Sequence, residues 1–183
     1  MEEKTALTHE FYKAAKGVSI YVSFSTEPDT SKLILAALEE GKVVVVPQII
    51  TEKRGRNYEL STRLGLMRMR RLYNLDQILS WPPNKFGVRE PPQPLHDVDQ
   101  DDAITHFVDL FVVPGLAFTM RGERLGRGKG FYDRYLTGMR KFYLEAHPNR
   151  PPPYTMALAF PEQIVDRICV EEHDFIIDAV VSI

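Results

Sequence analysis

Asp109-Leu110-Phe111-Val112-Val113-Pro114-Gly115-Leu116-Ala117-Phe118, followed by Arg124-Leu125-Gly126-Arg127-Gly128-Lys129-Gly130-Phe131-Tyr132-Asp133-Arg134-Tyr135-Leu136, is the stretch on which the reading of this chain turns. The first part is nearly continuous apolar sequence, the pattern of an interior parallel strand covered on both faces. The last part turns helical, because Tyr132, Tyr135, Leu136 and Met139 fall on one face. Between them lie Gly126, Gly128 and Gly130, which let a backbone take positive φ angles and bring N–H groups close to an anion. The helix that follows points its positive end at the same place. From Arg121 to Arg134 five basic residues stand against two acidic ones, a local charge of +3 in a chain whose formal net charge is -2. The strand, loop and helix therefore read as a phosphate loop, with a solvated glycine-bearing surface loop as the plain alternative. No Ser or Thr follows Lys129, so it is not a Walker A sequence, and the glycine spacing is not the dinucleotide-binding one.

Working outward, the pattern before the loop is strand, helix, strand. Val18 to Phe24 is rich in β-formers. Thr30 to Glu40 follows as a helix with Leu33, Ile34, Ala37 and Leu38 inward and Gly41 as its cap, and Lys42 to Ile50 is a second apolar strand. That order predicts a parallel pairing, and in such sheets ligands gather at the carboxyl ends of strands, where Ser25, Thr26 and Glu27 fall. Residues 1 to 16 read as a short helix stopped by Gly17, and Leu64 to Leu72 as a strand in a hairpin with part of the segment before it. Arg68, Arg70 and Arg71 read as a solvated strand face. The prolines from Trp81 to Pro94 exclude regular helix and predict a long loop. Tyr154 to Phe160 and Phe175 to Ser182 are the remaining strands, with Pro161 opening a short helix between them. The fold class is α/β: a single domain over 1–183 of three layers, α/β/α, with a mostly parallel or mixed sheet and an additional β hairpin.

Composition narrows the function. A chain of 183 residues with 44% hydrophobic content holds one core, and its charge argues against binding nucleic acid over the whole surface. Cys169 is the sole cysteine, which excludes an internal disulfide and a cysteine metal cluster. No apolar run nears the roughly 20 residues that span a bilayer. Nor does the opening, with Glu2, Glu3 and Glu10, resemble a secretory or transit peptide, so a cytoplasmic protein with no membrane partner is expected. The five histidines show no ligand spacing, and Asp97 to Asp102 lacks the glycine and twelfth-position Glu of a calcium loop.

The run from Asp109 to Leu136 resembles the signature of the 5-formyltetrahydrofolate cyclo-ligase (5,10-methenyltetrahydrofolate synthetase) family, a "VPGLAF" strand followed by an "R-L-G-x-G-K-G-[FY]-Y-D" loop. The likeness extends through Tyr21-Val22-Ser23-Phe24 to Glu27 and Thr30, Phe86-Gly87-Val88 to Glu90-Pro91, Ala157-Leu158-Ala159-Phe160 to Glu162-Gln163, and His173-Asp174 to Asp178. It runs from about residue 11 to 183, without the basic K-x-x-x-R pattern that the family's longer first helical region carries.

The resemblance implies that ATP phosphorylates the formyl oxygen of 5-formyltetrahydrofolate, after which N10 closes the ring to give 5,10-methenyltetrahydrofolate, ADP and phosphate. It implies ATP as co-substrate with Mg2+, and a folate, with or without a polyglutamate tail, as the partner. By the same resemblance Arg124, Gly126, Arg127, Gly128, Lys129 and Gly130 meet the triphosphate, with Lys129 and Arg127 charging the transferring group. Tyr132 then meets phosphate or folate through its hydroxyl. Glu27 takes the donor edge of the pterin, Val22 and Phe86 wall the pocket, and Asp133 and Asp178 hold the metal. Read as residues alone, Glu27 is equally a surface carboxylate before Pro28, Phe86 a loop peg, Asp133 a first-turn helix acid and Asp178 an exposed strand residue. Two other functions fit parts of the pattern: a folate-binding or regulatory module without efficient ATP use, and an unrelated phosphate-ester or coenzyme A binder.

Overall fold

The computed structural model describes residues 6–50, 64–84, 87–92 and 108–183. In chain order these form α1 (Glu10–Ala14), β1 (Gly17–Ile20), α2 (Ser31–Glu39), β2 (Val43–Ile49), β3 (Met67–Leu72), α3 (Leu75–Ser80) and β4 (Leu110–Val113). There follow the short β5 (Ala117–Phe118) and β6 (Arg124–Leu125), then α4 (Phe131–Ala146), β7 (Tyr154–Ala159), a 3-10 turn (Pro161–Gln163) and β8 (Ala179–Ser182). The main sheet has six strands in the order β3-β2-β1-β4-β7-β8. Only the β2–β3 pair is antiparallel, so the sheet is mixed.

The near-continuous apolar runs resolve into two faces, as a two-residue side-chain period requires. Val18 and Ile20, Val44 and Val46, Leu110 and Val112, and Met156 and Leu158 share one core with Leu33, Ile34 and Ala37 of α2 and Tyr12 of α1. Val45, Phe111, Val113, Ala157 and Ala159 share the other with Tyr135, Leu136, Met139 and Tyr143 of α4. This is the expected three-layer α/β/α arrangement, with a sheet covered on both sides.

From β1 the chain passes to β2 on one side, and from β4 it passes to β7 on the other. The connections thus diverge between β1 and β4. A crevice opens at the carboxyl ends of strands at such a switch point, and ligands of open α/β sheets sit there. At the opposite, amino ends of the same two strands Asp109 ties β4 to β1: its Oδ2 accepts Lys16 N at 2.7 Å and Gly17 N at 3.1 Å.

Several boundaries differ from expectation for identifiable reasons. Gly17 does not stop a helix but opens β1; α1 already ends at the extended Ala15 cap. β1 stops at Ile20 because the carbonyl of Tyr21 accepts Thr30 Oγ1 at 2.6 Å. The last strand loses residues 175–178, since Phe175 N donates to Asp133 Oδ1 (3.3 Å) and Ile177 N to Gly122 O (2.9 Å) instead of to a neighbouring strand. β3 pairs with β2 itself, from Val44 opposite Leu72 to Ile49 opposite Met67. Arg68 is not solvated; it is 1% exposed, with Nη1 donating to the carbonyls of Gly65 and Met67. α3 is an additional helix, started by Asn74, whose side chain accepts Gln77 N at 2.9 Å while Gln77 Oε1 accepts Tyr73 N at 3.0 Å.

Candidate active site

Two loops meet in the switch-point crevice. The one after β1 is folded on Glu27: its N–H donates to Phe24 O (3.1 Å) and its Oε2 accepts Phe24 N (2.9 Å). Closing the turn on itself leaves the Glu27 carboxylate nearly buried, 9% exposed, with Oε1 facing the second loop. There Arg127 Nη2 lies 3.6 Å from Oε1, and the guanidinium sits 4.7 Å from the Phe24 ring centroid. Arg127 remains half-exposed. Lys129 is exposed, and its ammonium meets no described side chain. The loop therefore presents two accessible cations beside a carboxylate.

The second loop is held by Arg124. Its Nη2 lies 2.7 Å from Asp133 Oδ1, Nη1 reaches Pro114 O at 3.4 Å, and the guanidinium lies 5.7 Å from the Tyr132 ring centroid. Room for it is made by glycines: a Cβ on Gly126 would lie 2.8 Å from Arg124 Nη1, and one on Gly115 would lie 3.1 Å from its Cγ. Gly126 is thus needed for close approach, whereas Gly128 (φ +74) and Gly130 (φ +61) are left-handed as the loop reading expects. Gly130 caps α4, which starts at once after it. Gln163 ties the loop to the end of β7, donating from Nε2 to Gly115 O (2.9 Å) and Leu116 O (3.4 Å) while Oε1 accepts Phe160 N (2.9 Å).

Tyr132 is partly buried, and burial pushes its hydroxyl well above the usual range; Arg124 opposes the shift and Glu27 adds to it. Tyr21, whose hydroxyl donates to Pro28 O at 3.4 Å, is pushed up by burial and then by Glu27. Both phenols stay neutral at physiological pH and act as hydrogen-bond donors. Val22 is partly buried against the α1–α2 core, and Phe86 lies outside the described residues.

The structure brings together Glu27, Arg127, Arg124, Tyr132 and Asp133, but it does not bring Asp178 to them. Asp178 Oδ2 accepts both Thr155 N and Thr155 Oγ1 at 2.8 Å, at the first rungs of β7, and Oδ1 lies 3.9 Å from Arg140. That is the amino edge of the parallel strands. Arg140, which Asp178 faces, lies two turns along α4 from Asp133, about 10 Å at the helical rise. Among the described residues no three His, Cys, Asp or Glu side chains group for a metal. As a magnesium ligand Asp133 offers Oδ2, which takes no bond from a described residue, whereas both carboxylate oxygens of Asp178 face protein partners, Thr155 and Arg140.

Tyr21, Phe24, Gln163 and Arg134 also belong to this site, and the sequence assigns none of them a role in it. Arg134 donates from Nη2 to Lys129 O (2.6 Å) and from Nε to Gly130 O (3.3 Å). The one local signal was spacing, an arginine four residues after the last glycine and one helical turn along α4.

An open α/β sheet whose switch-point crevice carries a basic, glycine-bearing turn at a helix N-terminus has the form of an anion site in an α/β protein. Comparison with known proteins is more specific. The chain belongs to the 5-formyltetrahydrofolate cyclo-ligase family, whose sequence model matches residues 1–182. It is 34% identical to a 5-formyltetrahydrofolate cyclo-ligase of Mus musculus over 174 residues, covering 95% of this chain and 76% of the mouse protein. It is 28% identical to that of Escherichia coli K12 over 172 residues, covering 92% of this chain and 78% of the other. The fold matches the NMR structure of Aquifex aeolicus 5,10-methenyltetrahydrofolate synthetase with a TM-score of 0.63 at 23% identity, over 98% of this chain and 74% of that one.

Proposed function

We propose that this protein converts 5-formyltetrahydrofolate to 5,10-methenyltetrahydrofolate at the expense of ATP, releasing ADP and phosphate. An amide oxygen is a poor leaving group. Transfer of the γ-phosphoryl group to the N5-formyl oxygen makes an imidate phosphate, N10 attacks the formyl carbon, and the oxygen departs on phosphate as the ring closes. Such a transfer asks the protein for positioning and charge neutralisation more than for a nucleophile. Lys129 and Arg127 supply the charge, and the N–H groups around Gly128 and Gly130 supply a cradle. Glu27 accepts from the 2-amino and ring N–H donors of the pterin, with Val22 and Phe86 as apolar wall and the Tyr132 hydroxyl as a donor at the junction. Arg124 serves this site from inside the loop, through its bond to Asp133. Asp133 Oδ2 would hold a magnesium ion accompanying the nucleotide, which would supply neutralisation of phosphate charge there.

The observation that carries this reading is the pairing of Arg127 with Glu27, which sets the cationic loop against the pterin-type carboxylate in one crevice. No described helix is long and apolar enough to cross a membrane, and we place the activity in the cytoplasm, in one domain. The test is a reaction with MgATP and 5-formyltetrahydrofolate, following ADP and the methenyl absorbance together. One ADP per methenyl product is expected. Folate binding with no ADP formed would favour a regulatory folate-binding module instead.

A further inference from the structure

We propose that Arg134 is a positioning residue that aims the peptide N–H groups of Gly130 and Phe131 at the nucleotide phosphates. This rests on reading the 126–130 turn as the nucleotide site. Arg134 stands in the first turn of α4, where a cation opposes the helix dipole. Its side chain doubles back instead of extending into solvent. Nη2 donates to Lys129 O at 2.6 Å and Nε to Gly130 O at 3.3 Å, so one planar guanidinium bridges two successive carbonyls.

Each trans peptide unit carries its C=O and N–H on opposite sides. Drawing the Lys129 carbonyl toward the guanidinium therefore turns the Gly130 N–H the other way, and the Gly130 carbonyl, which also accepts Arg134 N at 3.2 Å, turns the Phe131 N–H likewise. Neither N–H donates to a described residue, as befits the unsatisfied donors at a helix start. With Gly128 at φ +74 and Gly130 at φ +61 the turn has the alternating conformation that makes an anion nest. The fork also fixes the backbone from which Lys129 extends. Arg134 itself stays on the outer side, its Cβ packed against Gly65, where an added Cβ would lie 3.3 Å away.

The test separates the fork from the charge. Binding of a non-hydrolysable ATP analogue with magnesium, and separately of 5-formyltetrahydrofolate, is measured by calorimetry on the parent, Arg134→Ala and Arg134→Lys. A lysine keeps the charge but reaches one carbonyl at a time. Both variants are expected to weaken the analogue by about tenfold while folate affinity and thermal melt stay at the parental values. Parental analogue affinity in Arg134→Lys alone would overturn the proposal in favour of a bare charge effect. Parental affinity in both variants, or an equal loss for folate, would also overturn it. Failure of the parent to bind the analogue would instead overturn the nucleotide reading beneath it.

Discussion

Lys129→Met lowers kcat by about a thousandfold, the scale of removing a charge-stabilising group from an acyl- or phosphoryl-transfer site, and leaves the thermal melt in place. The asymmetry follows from exposure. Lys129 is solvent-exposed, and no described residue depends on its ammonium, so folding loses no packing and no partner when it goes. Surface changes of this kind stay within about 0.5 kcal/mol in stability. Turnover loses the charge that the transferring phosphoryl group requires. Single-turnover measurements with saturating nucleotide and folate check it; near-parental kcat would remove Lys129 from the chemistry, and a lowered melt would contradict its independence from folding. Lys129→Arg should recover only part of the rate, because a planar fork does not replace a compact ammonium.

The second large effect concerns stability. The Arg124 side chain is 5% exposed and its Asp133 partner 13%. Asp133→Ala leaves a guanidinium buried without its counter-charge and frees the N–H of Phe175, a cost of about 3–5 kcal/mol. In a protein of this size that lowers Tm by roughly ten degrees. Replacing both partners, Arg124→Met with Asp133→Leu, removes the lone charge and restores much of the stability. It does not restore activity, since the loop is no longer tied to α4. Urea unfolding of Arg124→Met, of Asp133→Leu and of the double variant measures the coupling. Additive losses would mean that the pair is not the unit described here.

These two residues also show where sequence reading stops. The family resemblance gives Arg124 to the triphosphate, while the burial of its side chain depends on space left by Gly115 and Gly126. Gly115 is nine positions away, and nothing local announces that Arg124 will pack there. Arg68 is a plain correction: a basic run reads as a solvated strand face, while the carbonyls of Gly65 and Met67 receive Arg68 in the interior. The central strands were legible because their apolar runs admit one outcome, a sheet buried on both faces. Trimmed ends were not, because they depend on distant acceptors: Asp133 for Phe175, Gly122 for Ile177. Gly122 permits the latter contact only as glycine, since a Cβ there would lie 2.0 Å from Ile177 O. The family likeness, read from about residue 11, extends through the first helix, with the family's sequence model matching from residue 1.

The proposed chemistry has a direct isotopic consequence. If the terminal phosphoryl group moves to the formyl oxygen, that oxygen leaves on phosphate. With the formyl oxygen of 5-formyltetrahydrofolate labelled with oxygen-18, mass spectrometry of the inorganic phosphate should find one labelled oxygen per molecule of methenyl product. Label recovered in water, with unlabelled phosphate, would contradict activation of the formyl group by the nucleotide gripped at Arg127 and Lys129.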